Sequence, residues 1–143
     1  MYESILVATD GSEAAREAIA HAVELARQFD ARLYGIAVLE SRTEYDNAIV
    51  DPAEARRRQR EQANSVLETL EETATEAGVT VKTDVRTGVP YEEILAYASE
   101  QDVDAIVMGA RGRSSFRRAL LGSTADRVVR STTRPVMLID EPA

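Results

Sequence analysis

The sequence predicts a single doubly wound α/β domain of five mainly parallel strands with helices on both faces, Rossmann-like in arrangement. Three observations predict it. Short apolar runs rich in β-branched residues alternate along the chain with segments of helical period. Strands that alternate with helices need crossover connections, and these produce a parallel sheet covered on both sides. The 143 residues, 44% of them apolar, suit one domain with one ordinary core, so residues 1–143 are read as a single domain.

Ser4 to Thr9 is a short apolar run that ends in Asp10-Gly11-Ser12, a turn and helix-start signal, and is read as a first strand entering a helix. Ala15, Ile19, Ala22, Ala26 and Phe29 then recur at steps of four and three, the apolar face of a helix running to about Phe29. Leu33 to Leu39, apolar but for Tyr34 and Gly35, reads as a second, buried strand. Glu40 to Pro52 is polar and irregular, a lid or variable insertion, and Asp51-Pro52 opens a long charged helix that Gly78 ends. Its inner stripe is Ala63, Val66, Leu67, Leu70, Ala74 and Ala77, while Arg56, Arg57, Arg58, Arg60 and the glutamates face water. Val79, Val81, Thr83 and Val85 alternate with polar residues, the pattern of an edge strand with one wetter face. Gly88-Val89-Pro90 turns the chain into a helix with Ile94, Leu95 and Ala98 inward, Ala105 to Met108 is a strand, and Ser123 to Ser131 is a helix with Ala125, Val128 and Val129 inward. Pro135 opens the last strand, Val136 to Ile139, also placed at an edge.

Composition narrows the chemistry. The longest apolar runs are far too short to cross a bilayer core of ~30 Å, and the first four residues lack the basic and apolar pattern of a signal peptide, so the expected location is cytoplasmic, with no membrane partner. With no cysteine there are no disulfides, thiolate metal sites or cysteine nucleophiles. The one histidine, His21, falls inside a helical pattern and is given no role. The formal charge is −8, and Lys82 is the only lysine. Such a chain repels nucleic acid at long range. Seven arginines between Arg111 and Arg134 nevertheless give that segment a net +6 and leave −14 on the remainder. A local phosphate site would use such arginines, but solvated helix and loop arginines would look the same.

In an open doubly wound sheet, ligands bind beyond the carboxyl ends of the strands, where strand order reverses. Two such ends carry glycine: Asp10-Gly11-Ser12, and Gly109-Ala110-Arg111-Gly112 followed after nine residues by Gly122-Ser123-Thr124. Glycines admit a ligand close to the backbone, and a helix N-terminus offers N–H groups to phosphate. Neither a Walker-type loop nor a GxGxxG fingerprint is present.

The spacing Gly-x-x-Gly, nine residues, Gly-Ser resembles the ATP-binding signature of the universal stress protein family. The resemblance extends to Ile5-Leu6-Val7-Ala8-Thr9-Asp10-Gly11-Ser12, Gly88-Val89-Pro90, Val103 through Gly109, Leu120 through Ala125, and Arg134-Pro135-Val136, in family order across nearly the whole chain. It implies a single universal stress protein domain of the adenine nucleotide alpha hydrolase-like kind, with ATP and Mg²⁺ as cofactors. By resemblance, Asp10 lies near ribose and holds the metal through water, and Val38 contacts adenine. Gly109, Gly112, Gly122, Ser123 and Thr124 enclose ribose and phosphates, Arg111 and Arg113 stand inside the phosphate loop, and Ala8, Thr9 and Met108 complete the nucleotide set. It also implies a homodimer through Val136 to Ile139.

The leading functional expectation is a nucleotide-dependent sensor or adaptor in a stress response, with an unidentified protein partner. It is not expected to be a fast enzyme, because Asp10 is the one obvious carboxylate at the site and Asp126 lies a turn into the next helix. The alternatives are a slow ATPase and a family member that works by protein contact without nucleotide. Nucleic-acid binding lacks stacking aromatics, since Phe116 stands alone in the arginine segment. Valine at Gly109 or Gly122 is expected to abolish ATP binding while leaving the fold intact.

Overall fold

A computed structural model describes residues 1–40, 52–112 and 121–141. The insertion at 41–51 and Arg113 to Leu120 of the expected phosphate loop lie outside the described residues. Strands β1 (Ser4–Ala8), β2 (Arg32–Glu40), β3 (Val81–Gly88), β4 (Ala105–Gly109) and β5 (Val136–Ile139) alternate with helices α1 (Glu13–Phe29), α2 (Pro52–Glu76), α3 (Pro90–Gln101) and α4 (Ser123–Ser131). The strands form one parallel sheet in the order β3-β2-β1-β4-β5, so the expected architecture and both expected edges are found. From β1 the chain steps outward to β2 and β3, then returns to β4 on the other side, which places the reversal between the adjacent ends of β1 and β4.

Alternation along the strands divides the interior between two faces. Ile5 and Val7 of β1, Leu33 and Ala37 of β2 and Val107 of β4 pack with Ile19 and Val23 of α1 and Leu67 and Leu70 of α2. Leu6 and Ala8, Tyr34 and Ile36, and Ile106 and Met108 pack on the opposite face with Ile94, Tyr97 and Ala98 of α3 and Ala125 and Val128 of α4. Side chains of period two fill both layers, as a sheet buried on both sides requires.

Two glycines set how closely the helices approach. A Cβ on Gly35, in the middle of β2, would run into the Leu70 side chain, so α2 is seated with Leu70 over the gap. A Cβ on Gly109 would stand 3.0 Å from Ala14 C, Ala14 Cβ and Ala15 N in the first turn of α1. That turn is fixed by Ser12, whose hydroxyl accepts from Ala15 N at 3.1 Å.

On the outer side, Arg86 of β3 fastens α3. Its guanidinium donates to Glu100 at 2.6 and 2.8 Å and to Asp84 at 3.0 Å, and stacks 4.8 Å over the Tyr97 ring. The Arg86 hydrogen bonds hold Glu100 below the usual carboxylate range, and burial pushes the Tyr97 phenol up.

Two expected inward side chains face out. Phe29 is 44% exposed because α1 ends there and its ring turns edge-on to Tyr2 at 5.1 Å. Val129 is 43% exposed because the nine-residue α4 buries only the Ala125 and Val128 stripe. Among the described residues no helix is long and apolar enough to cross a membrane.

Candidate functional site

At the reversal point a cavity of about 240 Å³ opens beyond the carboxyl ends of β1, β2 and β4. Its floor is Ala8, Thr9 and Met108, with Asp10 and Gly109 following from the same two strand ends. Thr9 is buried; its N–H donates to Ile36 O at 3.0 Å, and its hydroxyl accepts from Gly11 N at 3.4 Å. Gly11 takes φ +81°, the left-handed region that the turn out of β1 needs and a side chain would disfavour.

Asp10 is held at the centre of the opening. One carboxylate oxygen accepts from Ser12 N at 2.9 Å, while a Cβ on Gly112 would lie 2.8 Å from the other. The absence of a side chain at Gly112 therefore lets the β4 loop close against the β1 carboxylate, leaving a cradle of backbone on one side and an acceptor on the other.

Beyond Asp10, the loop from β4, the start of α4 and the end of β5 meet at Ala110. Its N–H donates to Ile139 O at 2.8 Å, and its carbonyl accepts from Gly122 N at 2.7 Å. Gly122 caps α4 without a side chain to bond the first-turn N–H groups. Ser123 and Thr124 follow it and line the cavity. Arg111 also lines it and reaches Asp140 at 3.7 Å.

Of the expected nucleotide residues, Ala8, Thr9, Asp10, Val38, Met108, Gly109, Arg111, Gly112, Ser123 and Thr124 come together on this one cavity. Gly122 is buried just behind the lining, and Arg113 lies outside the described residues. At Gly109 the missing side chain also makes room for the α1 backbone, so valine there is expected to cost stability through packing as well as binding.

The arginine-rich segment also divides. Arg130 pairs with Asp126 at 3.0 Å on the α4 surface, and Arg134 donates to Val103 O at 2.9 Å and approaches Asp102 at 3.3 Å. Arg127 stacks 4.8 Å over the Tyr91 ring. Among the described arginines of that segment, Arg111 is the one that lines the cavity.

Sequence reasoning missed much of the far wall. Leu39 and Glu40 of β2, Gln59, Gln62, Ala63 and Val66 of α2, and Pro90 and Ile94 of α3 all line the cavity. The four described helices thus each contribute, α1 through Ala15. Among the described residues no group of three or more acidic, His or Cys side chains could hold a metal ion.

A parallel five-stranded sheet with a glycine-bounded cavity at its reversal point defines the class of doubly wound α/β domains, in which ligands bind at that crevice. Within that class, residues 1–140 match the model of the universal stress protein family, and the chain belongs to it. It is 34% identical over 147 residues to universal stress protein MJ0531 of Methanocaldococcus jannaschii, covering 99% of this chain and 84% of that protein. The solved structure of MJ0577 superposes with a TM-score of 0.84 at 28% identity, covering 100% of this chain and 99% of that one. Universal stress protein UspA of Lactobacillus plantarum superposes with a TM-score of 0.81 at 31% identity, covering 96% and 97%. Two more distant members of the same fold, 23% and 24% identical, were solved with cAMP and, from Archaeoglobus fulgidus, with dAMP.

Proposed function

We propose that this protein binds ATP in the cavity between β1 and β4 and acts as a nucleotide-dependent sensor or adaptor in a stress response. One observation carries the reading. The cavity has backbone and hydroxyl groups suited to phosphates where Gly109, Gly112, Ser123 and Thr124 line it, on the β4 side, apolar side chains where Val38 and Ile94 line it, and Asp10 after β1, the strand between β2 and β4. A ribose bridging the two parts would donate its hydroxyls to Asp10. The cAMP and dAMP complexes of similarly folded proteins support an adenine nucleotide as the ligand.

Mg²⁺ would arrive with the phosphates, since a hard cation keeps most of its water and one carboxylate suffices to anchor it; Asp10 would be that residue. Bound to the phosphates, the ion would neutralise their charge. The chain's own residues hold and orient the nucleotide.

Among the described residues, the carboxylates that line the cavity are Asp10 and Glu40. Glu40 ends β2, with β1 standing between it and the glycine loop of β4, and Asp126 is tied to Arg130 on the outside of α4. Among the described residues, then, Asp10 is the one carboxylate at the phosphate end, and the reading takes the nucleotide as a signal with slow turnover. Tight binding of the ground state does not by itself speed hydrolysis.

The test is to heat-denature freshly purified protein, identify any released nucleotide, and titrate the stripped protein with Mg·ATP in a calorimeter. Saturable binding, with steady-state phosphate release far below the ~1–10³ s⁻¹ of typical enzymes, is expected. Absence of ATP binding in folded protein overturns the reading, and a rate within the enzymatic range replaces the sensor with an ATPase.

A further inference from the structure

We infer that α2 reads the base of the bound nucleotide through Gln59 and Gln62, an inference that rests on the nucleotide reading above. The first turns of α2 carry a pattern of charge broken at two positions. From Glu54 to Gln62 the residues run Glu, Ala, Arg, Arg, Arg, Gln, Arg, Glu, Gln, and the two neutral polar positions are the two that line the cavity. The charged neighbours are engaged elsewhere or face water: Arg57 and Arg58 pair with Glu54, Arg57 also approaches Glu61 at 3.8 Å, and Arg56 and Arg60 are exposed.

Charge at the cavity wall would be the natural choice if that wall met phosphates. Amides are the choice for a neutral group that presents donors and acceptors side by side, because each offers two N–H donors and a carbonyl. The edge of adenine is such a group, and an amide can meet it with two hydrogen bonds at once.

The position of the wall agrees. Gln59 and Gln62 stand above Ala63 and Val66 on the same face of α2, so an apolar step is topped by a polar rim. The approach is close: a Cβ on Gly11 would be 3.3 Å from Val66 Cγ2 and 3.7 Å from Gln62 Nε2, which sets the Gln62 amide against the turn that carries Asp10. The backbone and hydroxyl groups suited to phosphate belong to the β4 loop and the start of α4. A nucleotide with its phosphates there and its ribose at Asp10 lays its base across the end of β2, with Val38 on one side and the α2 amides at its polar edge.

Both glutamines sit on a helix face where alanine is a good helix former, so the double substitution Gln59→Ala and Gln62→Ala leaves the fold in place. Wild type and double variant are each titrated with Mg·ATP, with purine riboside triphosphate, which lacks the exocyclic amine, and with inorganic tripolyphosphate. The double variant is expected to bind ATP about tenfold more weakly and tripolyphosphate as before, and to lose most of the wild type's preference for ATP over the amine-free analogue. Unchanged ATP affinity in the variant overturns the inference, as does an equal loss for ATP and tripolyphosphate. Failure of wild-type protein to bind ATP at all removes the nucleotide reading itself, a result distinct from either.

Discussion

Two glycines three residues apart perform different tasks. A side chain at Gly112 would meet the Asp10 carboxylate, whereas one at Gly109 would meet the backbone of α1. Gly112→Ala is therefore expected to weaken Mg·ATP binding about tenfold or more with little change in melting temperature. Gly109→Ala should instead cost ~1–3 kcal/mol of stability through overpacking, since helix backbone cannot rotate aside. Calorimetric titration beside thermal melts of both variants distinguishes them; a Gly109→Ala protein as stable as wild type contradicts the packing account. The sequence made both glycines legible as parts of one motif, because the motif records that a side chain is forbidden. It does not record which neighbour forbids it. Gln59 and Gln62 stayed hidden for a related reason: a break in a charged run is a signal only once the helix face toward the cavity is known.

At the scale of elements, α3 is joined to β3 by a clamp of charge and aromatic stacking centred on Arg86. Glu100 has its folded-state pKa lowered by the Arg86 hydrogen bonds, so the clamp's contribution is complete above the ordinary carboxylate pKa and fades as pH falls through that range toward the lowered value. Arg86 remains charged throughout, its own pKa being raised. Acid is thus expected to lower the melting temperature of wild type more than that of Glu100→Gln, the two curves converging at low pH; parallel curves contradict the clamp. The order of elements was legible because periods of two and of about 3.6 leave different spacings of apolar residues, and β3's alternation marked it as an edge. Periodicity failed where an element ends or is short, at Phe29 and Val129, because the pattern says which residues share a face and not how far the neighbouring layer extends. Tyr97 escaped notice in the opposite sense. It is fully buried under Arg86, and the β3 cation that covers it is distant in sequence.

For the whole molecule, the two sheet edges are unequal. β3 presents Lys82, Asp84 and Arg86, whereas β5 has no charged residue between Val136 and Ile139 and leaves Met137 41% exposed. Charge on an edge strand discourages pairing, so a second copy is expected to join at β5 about a two-fold axis. Sedimentation should give a dimer mass for wild type and a monomer mass for Met137→Lys; a concentration-independent monomer in wild type excludes the arrangement. The net charge of −8, with a single lysine, gives a further expectation. Molar salt shortens the Debye length to about 3 Å and relieves repulsion among the excess acids, so the melting temperature should rise between dilute buffer and molar potassium chloride. A flat response assigns the arginine preference to composition alone.

The cavity draws its walls from three central strands and from every described helix, on both faces of the sheet. A partly unfolded chain that has shed either helical layer no longer has a complete site, so a nucleotide bound there as proposed would be captured by the native state alone. Mass action then ties folding to supply: free ligand at a hundred times its dissociation constant adds ~2.7 kcal/mol to the unfolding free energy. The melting temperature should accordingly climb with the logarithm of ATP concentration once the site is saturated. In a starving cell, falling nucleotide would hasten the protein's turnover, so that its abundance itself becomes a slow record of energy status.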